Sequence, residues 1–309
     1  MPESARTKVA DVVRHTKRML HSNTRTELDA IKTELAVDGV TIRLKYQTDG
    51  IRAGSYISVN DTSDSQPETM YVHARNGEYA TVQRAMDGSP ARVWEADISI
   101  IEVEPRFTEW QILEAVRDAI QALPNNLYAV DTKAVSFSTT QQSVTTTFTD
   151  GFNQVLSATR TARAGEDRLL AFNVKVQEYG GAYEVIRQEG IEKAVTAQVT
   201  YAHPFVTGTL TLGIDLVSTV GMTVEMTDIP ALGAAASLLL GEESLRLDLH
   251  SQGDSRADAA VLAGDRARYS LVLQAQYDRR VSQEARRLMA KWGVRTGAVT
   301  SSVFPTTVR

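Results

Sequence analysis

The chain has no cysteine among its 309 residues. That excludes disulfides, thiol nucleophiles and cysteine-ligated metals. Phosphate-cradling loops are also missing: no GxxxxGK[ST] or GxGxxG pattern occurs. No GxSxG frames a serine as an activated nucleophile. Histidines are few, at His15, His21, His73, His203 and His250, and no two share an HxxxH or HxH spacing. A metal site would need ligands assembled from several elements. Positive charge is not in excess: the formal net charge is −5, which argues against a general nucleic-acid binder. No apolar run approaches the roughly 20 residues needed to span a bilayer. Met1–Leu20 carries charges throughout and lacks the apolar core of a signal peptide. These absences predict a chain that is not an enzyme, holds no cofactor or metal, and is made and kept in the cytoplasm unless it leaves within a larger particle.

What is present supports folded domains. With 42% hydrophobic residues the chain can bury real cores, and its length suits two or three domains. The organising stretch is Tyr71–Leu123. Asn76-Gly77 separates two partly alternating runs, Tyr71–Ala74 and Tyr79–Gln83, a strong short-range hairpin signal because both residues tolerate positive φ. Asp87-Gly88 marks the next turn, and Ile98–Val103 reads as a strand ended by Pro105. Thr108 is placed to cap a helix whose apolar positions Ile112, Leu113, Val116 and Ile120 follow the helical period. Pro124 follows its end.

Upstream, Ser4 to about His21 predicts an amphipathic helix with Val9, Val12, Val13, Thr16, Met19 and Leu20 on one face. Its basic residues suit either docking on a membrane or acidic partner, or packing as a surface helix. Asn23 or Thr24 would cap a second helix through Leu28, Ile31 and Leu35, ended by Asp38-Gly39. Val40–Tyr46 and Gly54–Asn60 read as strands, and Asp61–Glu68 as a loop.

After Pro124 the texture changes. SFSTTQQSVTTTFT, LLAFNVKVQ, AYEVIRQ, AVTAQVTYA and GTLTLGIDLV alternate or run apolar over strand lengths. Gly180-Gly181 would join two of them as a tight turn. An antiparallel sandwich or jelly roll over residues 131–227 is expected. Asp228 then caps a helix with Pro230 in its first turn. A long helix follows, with Ala267, Leu271, Ala275, Val281, Ala285, Leu288 and Trp292 recurring every three or four positions, and Gly293 ends it. The expected class is therefore α+β: N-terminal helices plus a small β-domain (1–130), a central antiparallel β-sandwich (131–227), C-terminal helices (228–293) and an extended tail (294–309).

Two side-chain groupings invite chemistry. Glu102 and Glu104 share one face of a strand, as paired carboxylates do in glycosidases, or as ordinary residues of a solvated strand edge. Arg279, Arg280, Arg286, Arg287, Lys291 and Arg295 crowd the last helix against Asp278 and Glu284. They suit either intrahelical pairing or docking on an acidic protein surface or phosphate.

The chain resembles the head–tail connector (adaptor or neck) proteins of long-tailed bacteriophages, especially those of actinobacterial hosts. VADVVRHTKRML followed by TRTELDAI resembles the family's opening helices. GSYISVNDTSDSQPETMYV is similar to its "G-x-x-I" strand, loop and "E-x-M-Y-V" strand. The stretch from Tyr79 to Leu123 resembles its "V-x-R-G-x-x-G-[ST]" turn, strand, "P-R-F" and helix. VSQEARRLMAKW resembles its closing "E-A-x-R-L" helix. The likeness covers most of the first 125 residues and the last helix. Ala85 and Met86 depart from it, standing where the family tends to glycine and an aromatic.

The resemblance implies a homo-oligomeric ring, commonly dodecameric, docked beneath the portal protein. The ring would extend the DNA channel toward a downstream neck or tail protein, within the virion and without a membrane. Genomic DNA would pass without sequence-specific binding, which a net acidic chain suits. The expected portal dock is Arg279, Arg280, Arg286, Arg287, Lys291 and Arg295, with Val299, Val303 and Phe304 of the tail as apolar anchors. The alternative is a minor tail or baseplate protein whose sandwich binds carbohydrate. It would need exposed aromatics on one face, for which Tyr179, Tyr183 and Tyr201 are available.

Overall fold

A computed structural model describes residues 7–20, 27–61, 66–124, 126–148, 151–161, 169–179, 182–188, 194–205, 210–251 and 265–292. The protein is α+β, with four α-helices and three antiparallel sheets among the described residues. It divides into two compact units. The first joins Met1–Leu123 to Thr207–Val281, and the second joins Pro124–Val206 to Ser282–Arg309.

The first unit is built on a six-stranded sheet. Its strands are β1 (Leu28–Ala30), β2 (Thr41–Arg43), β3 (Tyr56–Asn60), β4 (Glu68–Asn76), β5 (Tyr79–Met86) and β6 (Ile100–Val103), in the order β1-β6-β3-β4-β5-β2. The two outer strands meet just beyond their ends. Lys32 N donates to Arg43 O (2.8 Å), Lys45 N donates to Ala30 O (2.9 Å), and Ile31 bridges Leu44. The sheet thus closes into a small barrel, which removes its edges. Register shifts in the β4–β5 pair add the twist that closure needs. The interior is filled by Ile31, Ile42, Leu44, Ile57, Met70 and Trp94 among others, all essentially out of solvent. Each such side chain contributes about 1.5–3 kcal/mol.

The β4–β5 hairpin forms at the expected place. Asn76 pairs with Tyr79 as a strand residue, so the connecting pair is Gly77-Glu78. Only Gly77 has positive φ (58°), the pattern of a type II′ turn with glycine first.

Three helices accompany the barrel: α1 (Val9–Leu20), α2 (Glu109–Gln121) and α3 (Ile229–Ser251). In α1 the buried residues Val9, Val12, Val13, Thr16 and Leu20 form one stripe. Thr108 caps α2 through a capping box, its hydroxyl accepting from Gln111 N while the Gln111 side chain accepts from Thr108 N. α3 touches both α1 and α2. Val224–Glu242, which includes the start of α3, is long and apolar enough to cross a membrane. Among the described residues this is the one exception to the expectation about apolar runs. Ile229, Ala231, Ala235 and Leu239 use its apolar character as core. Gly233 permits the close packing: a Cβ there would lie 3.2 Å from the Tyr277 ring and 3.3 Å from Ala119.

Two expected elements in this unit are corrected. Leu28–Leu35 is not a helix: Leu28–Ala30 is β1, while Ile31 and Leu35 bridge Leu44 and Trp94. Their apolar spacing also fits a short strand and its continuation inside a barrel. The buried Asp29 carboxylate holds this path by accepting from Tyr46 N (2.8 Å) and Thr48 N (2.9 Å). Gly208–Val217 was expected to be a sandwich strand. Its described residues instead line α1: Val9 N donates to Ile214 O (2.9 Å) and Leu216 N to Thr7 O (2.8 Å), with Leu212 and Leu216 buried. Alternation alone does not say which unit a segment joins.

The second unit is an antiparallel sandwich. One sheet runs β10 (Leu169–Ala171), β9 (Gln154–Thr161), β13 (Val195–His203), β7 (Ala129–Phe137). The other runs β11 (Val174–Tyr179), β12 (Ala182–Arg187), β8 (Ser143–Thr146). Its core takes Phe137, Val185, Val199 and Tyr201 from strands of both sheets, with Phe148 and Phe172 from connecting segments. Tyr179 pairs with Ala182, and Gly180-Gly181 lies outside the described residues. The last helix, α4, spans Asp265–Trp292.

Candidate functional site

Glu68, Arg84 and Ser89, three of the motif residues quoted above, come together in one buried knot. Glu68, the first residue of "E-x-M-Y-V", has no exposed surface. Its carboxylate accepts from Arg84 Nε (2.6 Å), Arg84 Nη2 (2.7 Å), Trp94 Nε1 (2.7 Å), Ala85 N (3.1 Å) and Arg92 N (3.3 Å). Arg84, the arginine of "V-x-R", uses its remaining donors on Ala36 O (2.8 Å), Gly39 O (3.1 Å) and Arg92 O (2.5 Å). Ser89, at the "G-[ST]" position, accepts from Thr69 N (2.9 Å) and donates to Met86 O (2.7 Å). A buried ion pair is tolerable only when its geometry is good and its remaining donors are used. Both conditions hold here, so this motif is a clasp fixing the turn from Met86 to Trp94, not a reactive centre. Ala85 adopts φ 55°, in the left-handed region. Glycine adopts that conformation without the penalty a Cβ carries.

The paired-carboxylate grouping does not form. Glu102 is buried and bound to Lys17 Nζ at 2.5 Å, so it is not a solvated strand edge. Glu104 lies past the strand end, half-exposed, with Arg52 at 3.8 Å. A different partner was not legible in the sequence. Glu109, at the first position of α2, accepts from Asn60 Nδ2 and feels both Lys17 and Glu102. Burial pushes its carboxyl above the usual range, an effect Lys17 partly offsets.

The basic residues of α4 separate into two kinds. Arg280 faces inward, its Nε and Nη2 clamping Asp228 (2.8 and 3.0 Å) while Nη2 also donates to Glu225 O (2.6 Å). Arg287 pairs with the buried Glu284 one turn away, Nε to Oε2 at 2.9 Å. Arg279, Arg286 and Lys291 are exposed, and Lys291 lies over the Trp292 ring. Arg295, Val299, Val303 and Phe304 lie outside the described residues. The sequence marks the density of arginines but not which are already engaged.

An open groove of about 280 Å³ runs along α1. Arg14, His15 and Arg18 line it from the helix, Thr227 and Asp228 from the turn before α3, and Val12 from beneath. Arg14 is paired with Asp11 (3.0 Å) and Asp228 with Arg280, which leaves Arg18 as an arginine in excess of the groove's carboxylates.

In the sandwich, Tyr201 is only 3% exposed and packs on Phe148 with ring centroids 4.4 Å apart. Tyr183 packs on Phe148 and Phe152, each at 5.2 Å. The Tyr179 side chain lies outside the described residues. Among the described residues no group of three or more His, Asp or Glu side chains is placed to hold a metal. No known family model matches the chain, and no curated protein matches it significantly.

Proposed function

We propose that this protein is a structural virion subunit, a connector that forms a ring between the head and tail of a long-tailed bacteriophage. The observation that carries the reading is the convergence of the resembling motif residues. Glu68, Arg84 and Ser89 are distant or separated in sequence, yet they build one clasp on one closed barrel. They belong to the motifs on which the resemblance to connector proteins rests, so the clasp gives those motifs one structural purpose. The ring docks beneath the portal, extends the DNA channel and meets a neck or tail protein below. The exposed Arg279, Arg286 and Lys291 of α4 remain available for an acidic portal surface. The work is assembly rather than turnover. The buried carboxylates of Glu68, Asp29 and Glu102 are each held by structural donors.

The carbohydrate-binding alternative is less well supported, because Tyr183 and Tyr201 are spent on the sandwich core. Negative-stain imaging of the purified chain, alone and with its portal, tests the reading. Rings of uniform diameter are expected. Monomers that bind glycans, or a hydrolase activity abolished by one point substitution, would overturn it.

A further inference from the structure

We infer that copies of this chain join head to tail, the groove of α1 on one copy receiving an acidic, valine-flanked knob of the barrel on the next. The inference rests on the ring reading and names its contact.

The knob follows from register. Leu35 and Trp94 exchange both backbone hydrogen bonds, each 2.9 Å, in an antiparallel bridge with both side chains inside the barrel. Their neighbours Glu34 and Glu95 flank the bridge on the same side and are both exposed, which brings two carboxylates near one another on the outer surface. Like charges placed so are destabilising, and both are exposed with no cation paired to either among the described residues. Val37 (52% exposed) and Val93 (46%) flank them. A pair of unneutralised carboxylates beside exposed valines is a poor free surface and a good half of an interface.

The other half is the groove. Its own carboxylates, Asp11 and Asp228, are paired with Arg14 and Arg280, so with Arg18 the arginines about the groove outnumber its carboxylates, and Val12 is part of the same lining. Two carboxylates with valines meet a groove where arginines are in excess beside a valine, opposite in sign and alike in mixture. The patches share no residue. The contact is therefore heterologous, and heterologous contacts generate rings when the rotation closes. A salt-sensitive association is implied.

Charge exchange tests this on the full-length chain. Sedimentation velocity would compare wild type, E34K/E95K, R14E/R18E and the chain carrying all four changes, in low and high salt, with circular dichroism to verify folding. Each double variant alone is expected to lose about tenfold or more in association. A mixture of the two doubles should recover association as alternating copies, and the four-fold variant should recover it alone. Recovery in both cases supports the inference. Should a double variant fail to fold, the neutral E34Q/E95Q and R18Q variants must still weaken association. Wild-type rings that persist unchanged in every variant would overturn this contact while leaving the ring reading intact. A wild type that stays monomeric at all concentrations and with its portal would overturn both.

Discussion

Replacing Ala85 by glycine is expected to stabilise the protein by about 0.5–1 kcal/mol. Ala85 sits at φ 55°, where a Cβ is penalised and glycine is not. Its N–H must stay on Glu68, which either residue permits. A rightward shift of the urea midpoint without a change in slope would verify it, and A85V should shift it left. Arg84 tests the clasp from the other side. R84M leaves Glu68 buried without its cation, at an expected cost of about 3–5 kcal/mol. R84M/E68M should lose less than the sum of the single losses, since the two residues act as one unit. Glu109 gives a pH signature. Its folded carboxyl is raised by burial, so the folded state binds the proton more tightly. Stability is then full below the unfolded value of about 4.3 and declines as pH rises through the folded value. Glutamine mimics the protonated form, so E109Q should match wild type in acid and melt higher near neutrality. Equal melting differences at both pH values would argue against a desolvated Glu109.

At the scale of elements, α3 is the piece around which the first unit packs. Gly233 lets it approach Tyr277 on α4 and Ala119 on α2. G233L adds bulk where there is no room, and overpacking of this kind costs about 1–3 kcal/mol despite leucine's better helix propensity. Thermal melts should show the loss, and an unchanged melt would mean the helices separate freely. The same elements show what sequence could reveal. Helices α1 and α2 were legible because their signals are local: a stripe at helical spacing in Val9–Leu20, and a capping threonine with Gln111 three residues on. The β4–β5 hairpin was legible from Asn76-Gly77, although the turn uses Gly77-Glu78. Barrel closure was not legible. It depends on Ile31 meeting Leu44 and on Leu35 meeting Trp94, and short strands carry no signal of their partners. Leu28, Ile31 and Leu35 therefore read as a helix, and Gly208–Val217 as a strand of the wrong unit. In the candidate site, the motif residues were visible but their burial was not. Arg280 looked as free as Arg279 until Asp228 was found beside it.

For the whole molecule, the decisive feature is that the first unit is assembled from two distant stretches. Met1–Leu123 and Thr207–Val281 are tied by Val9 N to Ile214 O (2.9 Å), Arg117 Nε to Leu210 O (2.9 Å) and the Arg106–Glu242 pair. All of these ties lie within the unit, and residues 124–206 join its two stretches along the chain. Loop-closure entropy changes by only about 0.6 kcal/mol per doubling of such a connection. Replacing residues 124–206 by a flexible linker of about 20 residues, two doublings shorter, should therefore favour the first unit by about 1 kcal/mol. Calorimetry of the intact chain is expected to resolve two transitions, of which the shortened chain keeps one, at a similar or slightly higher temperature. The shortened chain also keeps Arg14, His15, Arg18, Glu34 and Glu95, so it should still self-associate in low salt. A shortened chain that is unfolded would show that the first unit depends on the sandwich. One that folds but stays monomeric would move the ring contact into the sandwich.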